Sequence, residues 1–432
     1  MTGIDSAKKQ STLPSLTGMR FFAALMVFLA HASDQRFFRD AGFSADFNDV
    51  VRGSGYVGVA FFFVLSGFVL TWSARAGDTA RAFWRRRAAK VYPNTVVAVV
   101  LAAILLSTTD RVLEARVLIP NLLLIQSWIP DLEIFLGVNP PTWSLACELF
   151  FYLSFPLLLV GIKRIPGRYL WPVAAGVAAV VAVMPLVAEL IQGGVMFPPP
   201  VSVSFPRFWF VYAFPPVRML EFVLGMLMAR IVLTGRWIPL GRLPALALAI
   251  GAFVGLKHAS TLFSIVAVMV VPIALLISSV AAADVRGARS WLGSRFVVRL
   301  GEISFAFYLL HQLVLSYGHR WLGLHRTWST PGAFGVLAAL LVVALALSAV
   351  LHAVVEQPAM ARFARPRRRP APIEPAAESA SRGGPGAGSD SAGGTGSASD
   401  PRGGPDAGSS EQRPTLPAAN ASSARGEPST VD

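Results

Sequence analysis

The stretch LTGMRFFAALMVFLAHA, residues 16–32, decides how the rest of the chain is read. Its apolar length approaches the ~20 residues of a bilayer-spanning helix, yet it carries Arg20 and His31 and nothing else that ionises. Eleven helical residues advance roughly 1100°, about 20° past three full turns, so the two side chains share one face ~16 Å apart along the axis. Charged and titratable groups inside a bilayer are expensive, and they usually face a protein interior or a water-filled cavity. The expectation is a helix bundle around a polar cavity, with a guanidinium near one membrane surface and an imidazole deep towards the other. That pair suggests a phosphate-bearing ligand reaching in towards a general base.

The composition extends this reading to most of the chain. Of 432 residues, 54% are hydrophobic and only 14% charged, against about 25% charged in a soluble domain. Further apolar segments lie near 55–74, 91–107, 143–162, 169–191, 210–232, 242–257, 261–283, 296–317 and 333–355. The fold class is therefore all-α, a polytopic transmembrane bundle of about ten spans. VLIPNLLLIQSWI, residues 117–129, is shorter and broken by Pro120, so it is expected to be re-entrant or interfacial. If it does not cross, six basic clusters fall on one side: Lys8/Lys9, Arg81 to Lys90, Lys163 to Arg168, Arg230 to Arg242, Arg286 to Arg299 and Arg362 to Arg369. Positive-inside bias then puts both termini in the cytoplasm, and the expected location is the plasma membrane. The net charge of +14 follows from that topology rather than from nucleic-acid binding. Cys147 is the single cysteine, which excludes an intrachain disulfide and a cysteine-rich metal site.

Three regions follow: a cytoplasmic segment 1–15, a membrane domain 16–362 and a tail 363–432. The tail is rich in Pro, Gly, Ala and Ser with few large apolar residues, so it is expected to be disordered. The Arg365 to Arg369 run at its start suits anionic lipid. Lys8/Lys9, the apolar run and Ala30-His31-Ala32 also resemble a secretory signal with a small-residue cleavage site. Arg20 inside the run and the long polar stretch ahead of it favour a retained helix.

Several later segments carry candidate chemistry. GYVGVAFFFVLSGFVLTWSA (55–74) places Ser66-Gly67 within a phenylalanine-rich helix, first of all a point of close helix packing. AFWRRRAAKVYPN (82–94) puts Arg85, Arg86, Arg87 and Lys90 at the start of a helix. Arg86 and Lys90, four apart, share a face suited to phosphate groups, although topology alone accounts for such a cluster. NPPTWSLACELFFYLSFPLLL (139–159) holds Glu148 in the outer part of a span, with Trp143 ahead of it as an interface anchor. Cys147 beside it reads as an inert buried thiol. Arg218 and Glu221 in FPPVRMLEFVLGMLMAR (214–230) read as an internal ion pair. GEISFAFYLLHQ (301–312) brings Glu302, Ser304, Tyr308 and His311 along one helix, and His352 with Glu356 form a pair near the last exit.

Taken in order, these strings resemble the acyltransferase-3 family of integral-membrane O-acyltransferases. The matching pieces are Arg20 and His31, FFFVLSGF around Ser66-Gly67, the basic element from Arg86 to Pro93, TWSLACELFFY with Glu148, Gly301 to His311, and Glu356-Gln357-Pro358. They span about 16 to 360. Three positions depart from the family pattern: Lys90 stands where arginine is usual, Leu149 where a second acid is usual, and Phe305 where tyrosine is common.

The resemblance implies about ten helices, an acyl-CoA donor on the cytoplasmic side and a hydroxyl of a carbohydrate-like acceptor. Such an acceptor would be a surface polysaccharide, a glycolipid or a glycosylated metabolite such as a macrolide. Arg86, Arg87, Lys90 and Arg20 would hold the donor phosphates, with Ser66 beside them. His31 would act as general base, its ordinary pKa near 6.5 suiting proton abstraction at neutral pH. Glu148 would orient the imidazole, and Tyr308 or His311 would polarise the thioester carbonyl. No metal is required. A secondary transporter or flippase for a charged lipid or sugar is the alternative from another class, although no inverted repeat is visible.

Overall fold

A computed structural model describes residues 13–75, 77–109, 113–197 and 201–363. The expected tail and nearly all of the expected N-terminal segment lie outside these described residues. Every extended regular element within them is helical: α1 Pro14–Ser33, α2 Ala41–Trp72, α3 Ala80–Leu106, α4 Ala115–Leu123, α5 Leu132–Leu136, α6 Trp143–Arg164 and α7 Leu170–Ala188. They continue with α8 Phe205–Tyr212, α9 Pro215–Leu233, α10 Arg242–Gly255, α11 Thr261–Val285, α12 Arg295–Gly323, α13 Thr330–Leu351 and α14 Gln357–Phe363.

Local chemistry sets the boundaries. Pro14 opens α1, where a missing N–H costs nothing. Asp40 and Thr79 cap α2 and α3, accepting from the Phe43 and Ala82 amides. Eight helical segments among the described residues are long and apolar enough to cross a membrane. Two expected spans fall short of that standard. The segment 210–232 is divided, because Pro215 and Pro216 restart the helix after Tyr212. The resulting α9 carries Arg218, Glu221 and Arg230, while α10 has only 14 residues before a tight turn at Leu256–His258. The 117–129 stretch forms the nine-residue α4, about 13 Å long and too short to cross. It runs through Pro120 and breaks instead at Leu124, whose φ of 56° is left-handed.

Helix α1 is packed inside the bundle against α2 and α12. Small residues permit the closest crossings. A Cβ on Gly67 would lie 1.9 Å from the Phe222 carbonyl oxygen, and one on Gly225 would lie 1.9 Å from that of Val64, so α2 and α9 touch backbone to backbone. Gly301 of α12 stands in the same relation to Thr17 of α1. Arg218 and Glu221 form the expected pair, 3.0 Å apart and each 1% exposed. The guanidinium also lies over the Phe63 and Tyr212 rings.

Basic clusters from separate loops meet at one end of the bundle. Arg230 donates to the Lys163 carbonyl oxygen, Trp171 to that of Arg236, and Arg242 to that of Arg289. The α1 N-terminus belongs to this end, since the Ser15 amide and hydroxyl both donate to Asp284. Arg116, by contrast, is enclosed by Glu114, Asp131 and Glu133.

Candidate active site

The Arg20 and His31 face of α1 borders two cavities rather than one. Arg20 lines the first, of about 140 Å³, with Arg87 and Lys90 of α3, Ser66 of α2, Glu148 and Tyr152 of α6, and Tyr308 of α12. Three cations stand there against one carboxylate, which makes the space a receptor for anions. Arg87 Nε is buried without a hydrogen-bond partner among the described residues, and its guanidinium lies over the Phe83 ring. Lys90 is held from behind by Glu356, 3.9 Å away. Glu356 also accepts from Asn94 and lies 3.2 Å from His352 Nδ1. His352–Glu356 form a π-helical turn between α13 and α14, a wide turn that frequently accompanies functional sites. On the α3 side, Pro93 has no N–H for the Ala89 carbonyl, so that helical bond is missing one residue before Lys90.

His31 lines the second cavity, of about 290 Å³, among Tyr56, Trp143, Phe208 and Tyr212. Asp34 Oδ2 stands 4.0 Å from His31 Nδ1, and Arg52 lines the same space. The Asp34 side chain is 60% exposed at the cavity mouth. Partial desolvation there nevertheless raises its carboxyl above the usual value, against the opposing pull of Arg52. Aromatic faces beside a few polar groups suit an acceptor with an apolar or ring-shaped body.

Tyr308 and Val59 line both cavities, so they form the partition between them. The Tyr308 hydroxyl lies 2.8 Å from Ser144 Oγ and 3.2 Å from the Pro141 carbonyl oxygen. His311, fully buried one turn along α12, approaches the Tyr308 carbonyl oxygen with Nδ1 at 2.7 Å. A carbonyl only accepts, so Nδ1 carries the proton and Nε2 is left as a lone pair. Nε2 has no partner among the described residues, and the ring lies 5.3 Å from that of His31.

The structure thus brings Arg20, Ser66, Arg87, Lys90, Glu148 and Tyr308 together in one cavity, and places His31 beside His311 across the partition. It corrects five expectations. Arg86 does not line the anion cavity and is engaged by Asp78, because one residue along a helix turns a side chain by about 100°. Glu148 does not reach His31: it accepts from Tyr152 at 2.7 Å in the first cavity, and the carboxylate beside the imidazole is Asp34. Glu302 is exposed, off the Ser304–Tyr308–His311 face. Trp143 is no interface anchor but a wall of the second cavity, 5% exposed and 4.4 Å from the Tyr212 ring. In its tautomer His311 offers no N–H at Nε2 to a carbonyl oxygen.

Sequence reading missed Asp34, Arg52, Ser144 and Tyr152. Asp34 and Tyr152 each carried a signal, standing three residues after His31 and four after Glu148. Cys147 is buried and donates to the Ala213 carbonyl oxygen, as an inert thiol would. Among the described residues no group of three His, Cys, Asp or Glu side chains is placed to hold a metal ion.

Comparison with known proteins identifies the family. A family profile described as an acyltransferase domain matches residues 13–353. The chain is 43% identical to acyltransferase MdmB of Streptomyces mycarofaciens over 377 residues, covering 85% of this chain and 97% of that one. A Staphylococcus aureus (strain COL) protein provisionally named an O-acetyltransferase is 28% identical over 174 residues, 37% of this chain and 26% of its own. YrhL of Bacillus subtilis (strain 168), provisionally named a peptidoglycan O-acetyltransferase, is 28% identical over 197 residues, 42% of this chain and 28% of its own. No solved structure matches. Matched across most of its length by the family profile, the chain belongs to the acyltransferase-3 family and is a multi-pass membrane enzyme that transfers acyl groups.

Proposed function

We propose that the enzyme moves an acyl group from acyl-CoA to a hydroxyl of a carbohydrate-like acceptor, with the donor in the Arg20 cavity and the acceptor in the His31 cavity. The observation that carries this reading is the shared Tyr308–Val59 partition, which brings a cationic compartment and a histidine-bearing compartment to one point. Arg20, Arg87 and Lys90 hold the donor's phosphates by charge-assisted bonds. Glu148, hydrogen-bonded to Tyr152, limits the excess positive charge and fixes that side of the cavity. Ser66 of α2 lines the same cavity as Tyr152.

In the reaction His31 takes the proton from the acceptor hydroxyl as its oxygen attacks the thioester carbonyl carbon. The carbonyl electrons move onto oxygen, where the Tyr308 hydroxyl is the nearest partition donor for the developing charge. The C–S bond then breaks, and the departing sulfur receives the proton held by the imidazolium. Asp34 steadies that imidazolium. His311 packs against the His31 ring and limits its rotation. The donor cavity lies at the basic end of the bundle, which positive-inside bias assigns to the cytoplasmic side of the plasma membrane, along with both termini.

The test is thiol release from acetyl-CoA by the purified chain in detergent, with and without a hydroxyl-bearing glycan or glycosylated metabolite. Acceptor-dependent release with a matching mass gain on the acceptor is expected. Movement of a lipid or sugar across proteoliposomes without any acyl transfer would replace this reading with the transporter alternative.

A further inference from the structure

The face of α1 turned away from Arg20 and His31 carries Met19, Phe22, Ala23 and Met26, a spacing of i, i+3, i+4, i+7. These residues wall a groove of about 710 Å³, closed on its other sides by α2, α10 and α11. No residue of either site cavity lines it. On α10, Leu243, Leu246 and Ile250 line the groove while remaining exposed, so it opens to the bilayer. At the basic end its apolar lining gives way to Arg242, Arg289, Ser290 and Trp291. Arg242 donates to the Arg289 carbonyl oxygen at 3.3 Å, which gathers the two guanidinium-bearing residues at the mouth. Among the described residues neither arginine has an ion pair, and no acidic side chain lines the groove; Asp284 nearby is occupied by Ser15. Trp291 is 65% exposed and packs edge-on against Phe22 at 5.2 Å, as an amphipathic ring at the headgroup level does.

We propose that this groove holds one anionic phospholipid of the surrounding membrane, its phosphate between Arg242 and Arg289 and one acyl chain along the Met19–Met26 stripe. Charge selects this occupant over a neutral lipid or a second protein copy. Two cations without a carboxylate at the end of an apolar slot between membrane helices complement a phosphate with an attached chain. Methionine, unbranched and flexible, conforms to a chain of variable shape. The groove lies behind the helix that carries Arg20 and His31, so a bound lipid buttresses the catalytic helix from its apolar side. This inference rests on the membrane fold and not on the identity of the donor or acceptor.

Native mass spectrometry of the full chain, released from detergent with phosphatidylglycerol or phosphatidylcholine added in equal amount, tests it. One phosphatidylglycerol per chain is expected to be retained in preference to phosphatidylcholine. Arg242→Gln with Arg289→Gln should lower that retention at least about tenfold, and folding should survive because neither side chain has an ion pair to lose. Ala249→Trp, which fills the slot and leaves both arginines in place, should lower it as well. Thermal unfolding supplies a second readout: phosphatidylglycerol should stabilise the wild-type chain, whereas inorganic phosphate should not. Equal retention of the two lipids, or undiminished phosphatidylglycerol binding in the double variant, overturns the proposal. Equal stabilisation by inorganic phosphate overturns the chain-binding half of it.

Discussion

The rings of His31 and His311 lie 5.3 Å apart with their planes inclined by 36°, one on α1 and the other on α12. Because His311 Nδ1 is committed to the Tyr308 carbonyl oxygen, its tautomer is set by the backbone of α12. Among the described residues His31 has no such backbone bond. Asp34 Oδ2 stands 4.0 Å from its Nδ1, and His31 lines the second cavity. The two imidazoles are therefore inequivalent, and His31 is the one to which the proposed mechanism gives the proton transfer.

Replacing His31 with alanine should reduce turnover by roughly 10²- to 10⁴-fold, the span of a lost general base. The purified variant should elute and unfold like wild type. Transfer rates measured at saturating donor, alongside size-exclusion profiles, check this. Wild-type turnover would remove His31 from the catalytic role.

Arg52→Gln should move the acid limb of the pH–rate profile upward. Burial already lifts the Asp34 carboxyl above its ordinary value, and Arg52 opposes that lift. Without Arg52 the carboxyl holds its proton to a still higher pH. Activity that needs the carboxylate is then lost sooner as pH falls. An acid limb that stays in place or moves down would separate Asp34 from the reaction.

Arg87→Ala and Arg86→Ala should behave differently, although the residues are neighbours. Arg87 lines the anion cavity, while Arg86 is tied to Asp78 outside it. Arg87→Ala is expected to raise the KM for acyl-CoA by about 10- to 150-fold, as removal of a charge-assisted bond does. Arg86→Ala should change it by a few-fold at most. The contrast should vanish with a short thioester lacking the nucleotide, and steady-state kinetics on both donors decide the point.

Gly67→Ala should destabilise the bundle by about 1–3 kcal/mol, as overpacking does. The added methyl meets the Phe222 carbonyl oxygen, a backbone atom that cannot swing aside. Gly161→Ala is the control, since nothing lies within 4 Å of its added Cβ. Thermal unfolding of the two variants in one detergent should separate them clearly.

How far the sequence anticipates this molecule depends on the range over which each feature is decided. The common face of Arg20 and His31 follows from helical periodicity alone, and so does the Arg218–Glu221 pair. The division of the 210–232 segment was signalled by Pro215-Pro216, but a window long enough to reveal a span averages across such a break. The distinction between Arg86 and Arg87 depends on which way α3 is turned, and that is set by Phe83 packing on Phe155 of α6. Asp34 escaped notice because it follows the apolar run, whereas its place beside His31 depends on how α1 ends. Trp143 carried the composition of an interface residue. Its burial follows from nearby Phe135 together with Phe63 and Tyr212, which reach it from two distant parts of the chain.

The partition formed by Tyr308 and Val59 has a kinetic consequence. In the proposed arrangement donor and acceptor occupy separate chambers, so neither obstructs the arrival of the other and no binding order is imposed. Each product also departs through the chamber by which its parent arrived. Free coenzyme A should then compete with acyl-CoA yet act as a noncompetitive inhibitor towards the acceptor. The acylated product should show the mirror-image pattern. A single aromatic side chain shared by two chambers would thus be legible in inhibition plots, through which substrate relieves which product.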